Sequence, residues 1–186
     1  MAYEQGNIIN MEYDTKNDRI NNLIKTVERV YLTNDLSLFG QIYTRCFEIC
    51  QGSRGRDLYN NLIKMLQNIV NNIHKSLLEL SNSPTLLSKL VSEYKSYKNK
   101  SINIADGFLY LDKQRSRMGE NQILMVLDLC ITIFLETIVL NSSLRTKIIQ
   151  NFLISFNKKS YEQEEIEILK EVISIYVSKF TNFNVC

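Results

Sequence analysis

Four cysteines and one histidine are the residues of this 186-residue chain best suited to covalent or metal chemistry. The cysteines stand at 46, 50, 130 and 186, and the histidine is His74. A thiol nucleophile needs a base within hydrogen-bond reach and a further group that orients the base. Nothing in the spacing of Cys46, Cys50 or Cys130 against His74 requires such a set. Cys46 and Cys50 lie four apart inside an apolar helical pattern, so buried inert thiols are the simpler expectation. No CxxC pair occurs, and a lone histidine does not complete a zinc cage. The sequence therefore offers no catalytic residue and no metal ligand, and no cofactor is expected. Gly52-Ser53-Arg54-Gly55 lacks the lysine and the preceding strand of a phosphate loop and reads as a helix connection. Glu162, Glu164 and Glu165 gather at the start of a helix, where capping and the helix dipole account for them.

Charge points away from nucleic acid. Lys and Arg total 22 against 20 Asp and Glu, a net of +2, where nucleic-acid binding calls for a concentrated basic footprint. Lys95, Lys98 and Lys100 alternate with Tyr94 and Tyr97, a pattern that could stack bases. Those tyrosines also match the core period of their own helix, so a solvated lysine face with half-buried tyrosines is expected. Lys113, Arg115 and Arg117 suit the negative end of a helix. Ile123 to Leu140 is very apolar, but Asp128 and Glu136 would be costly at a bilayer centre. A helix buried on several sides is expected there, with no membrane partner. Met1 to Asp18 is polar and has no apolar signal core, so reduced thiols in the cytoplasm or nucleus are the expectation.

The elements that would position any surface are helical. Apolar residues make up 45% and charged residues 23%, with one proline and six glycines, too little turn chemistry for an all-β domain. Residues 1–17 show no sustained period and are expected as a flexible arm. Helical periodicity starts at Asp18 with Ile20, Leu23, Ile24, Val27, Val30 and Tyr31. Thr33-Asn34-Asp35 supplies caps for a second helix over Leu36 to Gln51. A third runs from Arg56 to Leu80 on a stripe that steps by three and four from Leu58 to Leu80. Pro84 fits the first turn of a fourth helix, Asn99 to Ser101 is a soft break, and a fifth helix covers Ile102 to Arg117. Gly119 ends it. Helices follow over Ile123 to Leu140, over Leu144 to Phe156 behind Asn141-Ser142-Ser143, and over Ile166 to Phe180 behind a Ser160–Gln163 capping box. About eight antiparallel helices with short links stack naturally into an elongated solenoid.

Two helices carry more apolar surface than packing requires. On the second, Leu36, Leu38, Phe39, Ile42, Tyr43, Cys46, Phe47, Ile49 and Cys50 fill an arc of about 180°, against little more than 100° for an ordinary surface helix. One edge of that arc is an aromatic ridge, Phe39, Tyr43 and Phe47, at i, i+4 and i+8. Aromatic anchors are typical of helical recognition surfaces, although the same three rings could all be core. On the fifth helix Ile104, Phe108 and Leu111 form one face. Tyr110 points elsewhere among Asp106, Lys113 and Arg117, a setting that suits an interface rim.

Phe39-x-x-Ile42-Tyr43-x-x-x-Phe47 followed by Asp57-Leu58-Tyr59-x-x-Leu62 resembles the start of the first cullin repeat. Tyr94-x-x-Tyr97 falls where cullins often carry Trp-x-x-Tyr, and Tyr110-Leu111-Asp112-Lys113 is similar to their Tyr-Leu-Asp-Arg segment. The resemblance covers about residues 18–180. Phe47 stands for the usual tyrosine, Tyr94 for the usual tryptophan, and Gly40 interrupts the recognition helix. The resemblance implies an all-α, elongated right-handed solenoid of stacked antiparallel helices, with a five-helix repeat over 18–119 and an incomplete second repeat over 120–186. It implies a non-catalytic scaffold of a cullin-RING ubiquitin ligase. The adaptor-binding residues would be Phe39, Ile42, Tyr43 and Phe47 from the second helix and Tyr110 and Lys113 from the fifth. The partner would be a substrate adaptor of BTB-fold, SKP-type or propeller type. A RING subunit would be met only through a C-terminal region absent from this chain. A helical-rod subunit of a vesicle-tethering complex is the alternative, since it shares the stacked-helix pattern.

Overall fold

A computed structural model describes residues 3–119 and 124–158 of the protein, together with residues 166 and 170. Regular structure among the described residues is helical throughout. The first helix, α1, spans Tyr3–Thr33, so residues 3–17, expected as a flexible arm, are helical. Ile20, Leu23, Val27, Val30 and Tyr31 form its buried stripe. Asn34 ends it in the left-handed region at φ 55°, donating its N–H to the Val30 carbonyl at 2.8 Å. Asp35 then caps the next turn. Its Oδ1 accepts the Ser37 N–H at 3.1 Å and the Ser37 hydroxyl at 2.6 Å, and these bonds hold its carboxyl below the usual range.

The expected second helix is a 3-10 turn, Leu36–Leu38, followed by α2, Phe39–Gln51. After the Gly52-Ser53-Arg54 turn comes α3, Gly55–Glu79, whose start is tied by an Arg54–Asp57 ion pair at 2.6 Å. Leu58, Leu62, Met65, Leu66, Ile69 and Leu77 of the expected stripe are buried along it, while Ile73 and Leu80 are half-buried and Leu80 follows the helix end. Pro84 sits in the turn ahead of α4, Leu86–Gly107, rather than in its first turn.

The soft break expected at Asn99 to Ser101 does not exist, because α4 runs straight through it. Tyr97, Ser101 and Ile104 are all buried on one face, and tertiary burial of that stripe outweighs the weak helix propensity of Asn and Ser. The chain turns instead at Gly107-Phe108 and continues as α5, Leu109–Arg117. Helix α6, Val126–Phe134, passes into a π-helical turn, Leu135–Val139. Asn141 Oδ1 then accepts the Ser143 N–H at 3.1 Å and its hydroxyl at 2.6 Å near the start of α7, Ser142–Lys158. The capping box at Ser160 lies outside the described residues, and so do nearly all positions of the last expected helix.

The chain divides into two compact units, Met1–Met65 with Lys100–Leu129 and Leu66–Asn99 with Cys130–Cys186. In the second unit the Phe134 ring packs on Tyr94 at 5.2 Å and Tyr97 at 5.1 Å, centroid to centroid. The Tyr97 hydroxyl donates to the Cys130 carbonyl at 3.0 Å. These tyrosines are fully buried, not half-buried, because each ring is enclosed and the Tyr97 hydroxyl has a backbone partner. In the first unit Arg115 is buried rather than serving the helix dipole at the surface. Its guanidinium lies 3.7 Å from the centroid of the Tyr59 ring, and the Tyr59 hydroxyl donates to the Leu124 carbonyl at 2.9 Å. Both Asp112 carboxylate oxygens accept the Val126 N–H, at 3.2 and 3.1 Å, which caps α6. No single helix among the described residues is long and apolar enough to cross a membrane. One bent pair, Val126–Val139 with Ser143–Ile154, meets that test on length and composition alone.

Candidate functional site

The apolar arc of α2 splits into two parts. Ile42, Cys46, Ile49 and Cys50 are buried and hold the helix to its unit. Tyr43 and Phe47 remain 44% and 39% exposed. Packing therefore uses one flank of the arc and leaves two rings of the ridge in solvent. Ile42 is only 2% exposed, so it supports the surface from beneath instead of lining it. Phe39 is half-buried near Gly107.

Helix α5 lies beside α2 through three local devices. A Cβ placed on Gly107 would stand 2.8 Å from Ile42 Cγ2, so the missing side chain is what lets α2 approach the α4–α5 turn. Gln114 Nε2 donates to the Cys50 carbonyl at 2.8 Å, a second bond on an acceptor that also takes the Ser53 N–H at 3.0 Å, and so ties α5 to the end of α2. Gln51 Nε2 donates to the Tyr110 hydroxyl at 3.2 Å. The result places Phe47 edge-on to Tyr110, centroids 4.6 Å apart and planes at 69°. That geometry is favourable for aromatic quadrupoles.

Tyr43, Thr44, Phe47, Tyr110, Lys113 and Arg117 line a surface pocket of about 390 Å³. Of the six residues expected at a docking surface, Tyr43, Phe47, Tyr110 and Lys113 meet there, while Phe39 and Ile42 stand outside its lining. Thr44 joins from the side of α2 that the helical wheel marks as polar, its hydroxyl donating to the Gly40 carbonyl at 2.9 Å. Gln51, Gly107 and Gln114 carried no signal in the sequence, because their roles exist only once α2 and α5 are adjacent. Among the described residues the lining combines apolar rings and hydroxyls with two cations and no carboxylate. It can hold an apolar side chain that carries an acidic neighbour.

The thiols stand apart from this surface chemistry. Cys46, Cys50 and Cys130 are buried thiols. The hydrogen bond between the Cys46 and Cys50 thiols, with burial added, pushes the Cys46 thiol far above the usual range. Among the described residues no group of three or more His, Cys, Asp or Glu could hold a metal ion.

Residues 18–184 match the family described as the cullin alpha solenoid domain. Among curated proteins the chain is similar to Cullin-3 of Dictyostelium discoideum, 26% identical over 164 residues. That match covers 86% of this chain but only 21% of the relative. It gives no support to the vesicle-tethering alternative. With nine-tenths of its length inside the helical domain of one family, this chain belongs to the cullin family.

Proposed function

We propose that this chain is the non-catalytic scaffold of a cullin-RING ubiquitin ligase and that the α2–α5 surface docks a substrate adaptor. One observation carries the docking: Tyr43 and Phe47 stay exposed beside Tyr110 although four other apolar residues of α2 already complete its packing. Large exposed rings rimmed by polar and charged groups mark protein interfaces. Lys113 and Arg117 at the rim favour an adaptor that brings a carboxylate beside its apolar anchor.

The scaffold works by position. Holding the substrate carrier at a set distance from the RING subunit and its ubiquitin-loaded partner makes transfer effectively intramolecular. No residue of this chain takes part in bond making under this reading. The RING subunit would bind outside residues 1–186, and the cytoplasm or nucleus would house the complex.

The test is a binding titration of the purified chain against a panel of one BTB-fold, one SKP-type and one propeller adaptor. One adaptor should bind, and Tyr43→Lys with Phe47→Ala should weaken it by more than about 2 kcal/mol while the circular-dichroism melt is kept. Tight binding that survives the double substitution refutes the surface. Failure of all three adaptors refutes the scaffold reading.

A further inference from the structure

The opposite flank of α2 faces a different environment. Between α1 and α2 runs a groove of about 800 Å³. Arg19, Lys25 and Arg29 project into it from α1, and Arg45 from α2. Among the described residues Glu48 is the single carboxylate in the lining. Among its described residues four cations face one anion, a larger local excess than the net charge of +2 over the whole chain. Among the described residues none of the four cations forms an ion pair within 4.0 Å.

The groove is also built. Arg45 Nη1 donates to the Thr26 hydroxyl at 3.3 Å, bridging α2 to α1 and holding the guanidinium at the groove wall. Thr26 in turn donates to the Asn22 carbonyl at 2.8 Å. Arg19, Asn22, Thr26 and Arg29 follow the three- and four-residue steps of one helix face. The ten helical steps from Arg19 to Arg29 rise about 15 Å, the span of about four or five residues of extended chain.

We propose that this α1–α2 groove binds an acidic peptide segment of a partner protein. The cations would pair with Asp or Glu side chains, Arg in the bidentate fashion that suits a carboxylate. The Asn22 amide and the Glu48 carboxylate supply acceptors for peptide N–H groups, which a phosphate chain could not use because it has only acceptors of its own. Glu48 also repels a dense polyanion, and the near-neutral chain lacks the basic footprint that nucleic acid requires. This site is separate from the α2–α5 pocket, and it stands or falls independently of adaptor docking.

Fluorescence anisotropy with a fluorescein-labelled ten-residue peptide of alternating Glu and Gly tests it, the Gln and Gly counterpart serving as comparison. At about 50 mM salt the Glu peptide should bind at least tenfold more tightly than the Gln peptide, and binding should weaken at about 150 mM as screening rises. Arg19→Glu with Arg29→Glu should weaken it at least tenfold, and the milder Lys25→Gln with Arg29→Gln several-fold. Both pairs are exposed, so the melting curve should stay in place. Lys64→Glu with Lys95→Glu makes the same net-charge change elsewhere and should leave binding intact. Equal binding of the Gln peptide, equal loss in the Lys64/Lys95 variant, or unchanged binding in the Arg19/Arg29 variant overturns the proposal. So does displacement of the peptide by tripolyphosphate at concentrations below those of unlabelled peptide.

Discussion

Gly107→Ala is the sharpest probe of how the two surface helices are held together. The new Cβ would meet Ile42 Cγ2 at 2.8 Å, inside the closest approach that carbon atoms tolerate. Cγ2 is attached directly to the branched Cβ of Ile42, whose χ1 has one strongly preferred well in a helix, so it cannot swing away as a side-chain tip would. Relief must come from moving α2 against the α4–α5 turn. Overpacking of this kind costs about 1–3 kcal/mol, while replacing Gly by Ala near a helix end returns at most about 1 kcal/mol. The net effect is destabilising, and at about 2–4 °C per kcal/mol for a chain of this size the thermal midpoint should drop by several degrees. Ile42→Ala alone leaves a cavity and costs about 2–5 kcal/mol. In that background Cγ2 is gone, so adding Gly107→Ala should cost nothing or stabilise slightly. Urea or thermal melts of the four proteins should therefore show a coupling of about 1–3 kcal/mol. Adaptor affinity should also fall in Gly107→Ala, since Phe47 and Tyr110 lie on the two elements forced apart. Additive melts, or a Gly107→Ala protein as stable as the parent, would refute the close-approach argument.

Three further outcomes are expected. Gly40→Ala should stabilise the protein by about 0.5–1 kcal/mol, because a Cβ there meets nothing within 4 Å and the helix gains propensity; a lower melting midpoint contradicts this. Burial raises the Asp112 carboxyl above its ordinary value, outweighing the Val126 N–H bond that favours the charged form. A raised native value means that its contribution to stability is present at acid pH and shrinks as pH rises through the carboxylate range. Asp112→Asn, which keeps an acceptor for Val126, should thus gain on the parent between pH 4 and pH 7 in paired urea melts; a gap that stays constant or closes the other way counts against it. Finally, alkylation of the native protein at neutral pH should leave Cys46, Cys50 and Cys130 unmodified by peptide mass mapping, with rapid labelling only in denaturant. Fast native labelling of any of the three would show an access route absent from the fold.

Much of the helical plan is legible in the sequence, for a physical reason. Stripes at three- and four-residue steps such as Leu58 to Leu77 report burial directly, and Asp35 and Asn141 are short acceptors at helix starts. The surplus of aromatic area on α2 is readable in the same way, since a wheel counts how much apolar arc a helix carries. Which part of that arc is surplus is a tertiary decision. Ile42 and Tyr43 are neighbours of equal apolar promise, yet one packs over Gly107 and the other meets solvent. Asn99 to Ser101 looks like a break because propensity is local, and it is helical because Ser101 and its neighbours along one face are buried. Arg115 looks like a surface cation until α3 brings Tyr59 beneath it. Sequence periodicity determines which face of each helix avoids water. Only the meeting of α2 with α1 on one flank and with α5 on the other decides which residues are left to face a partner, because exposure belongs to pairs of elements and no single helix encodes it.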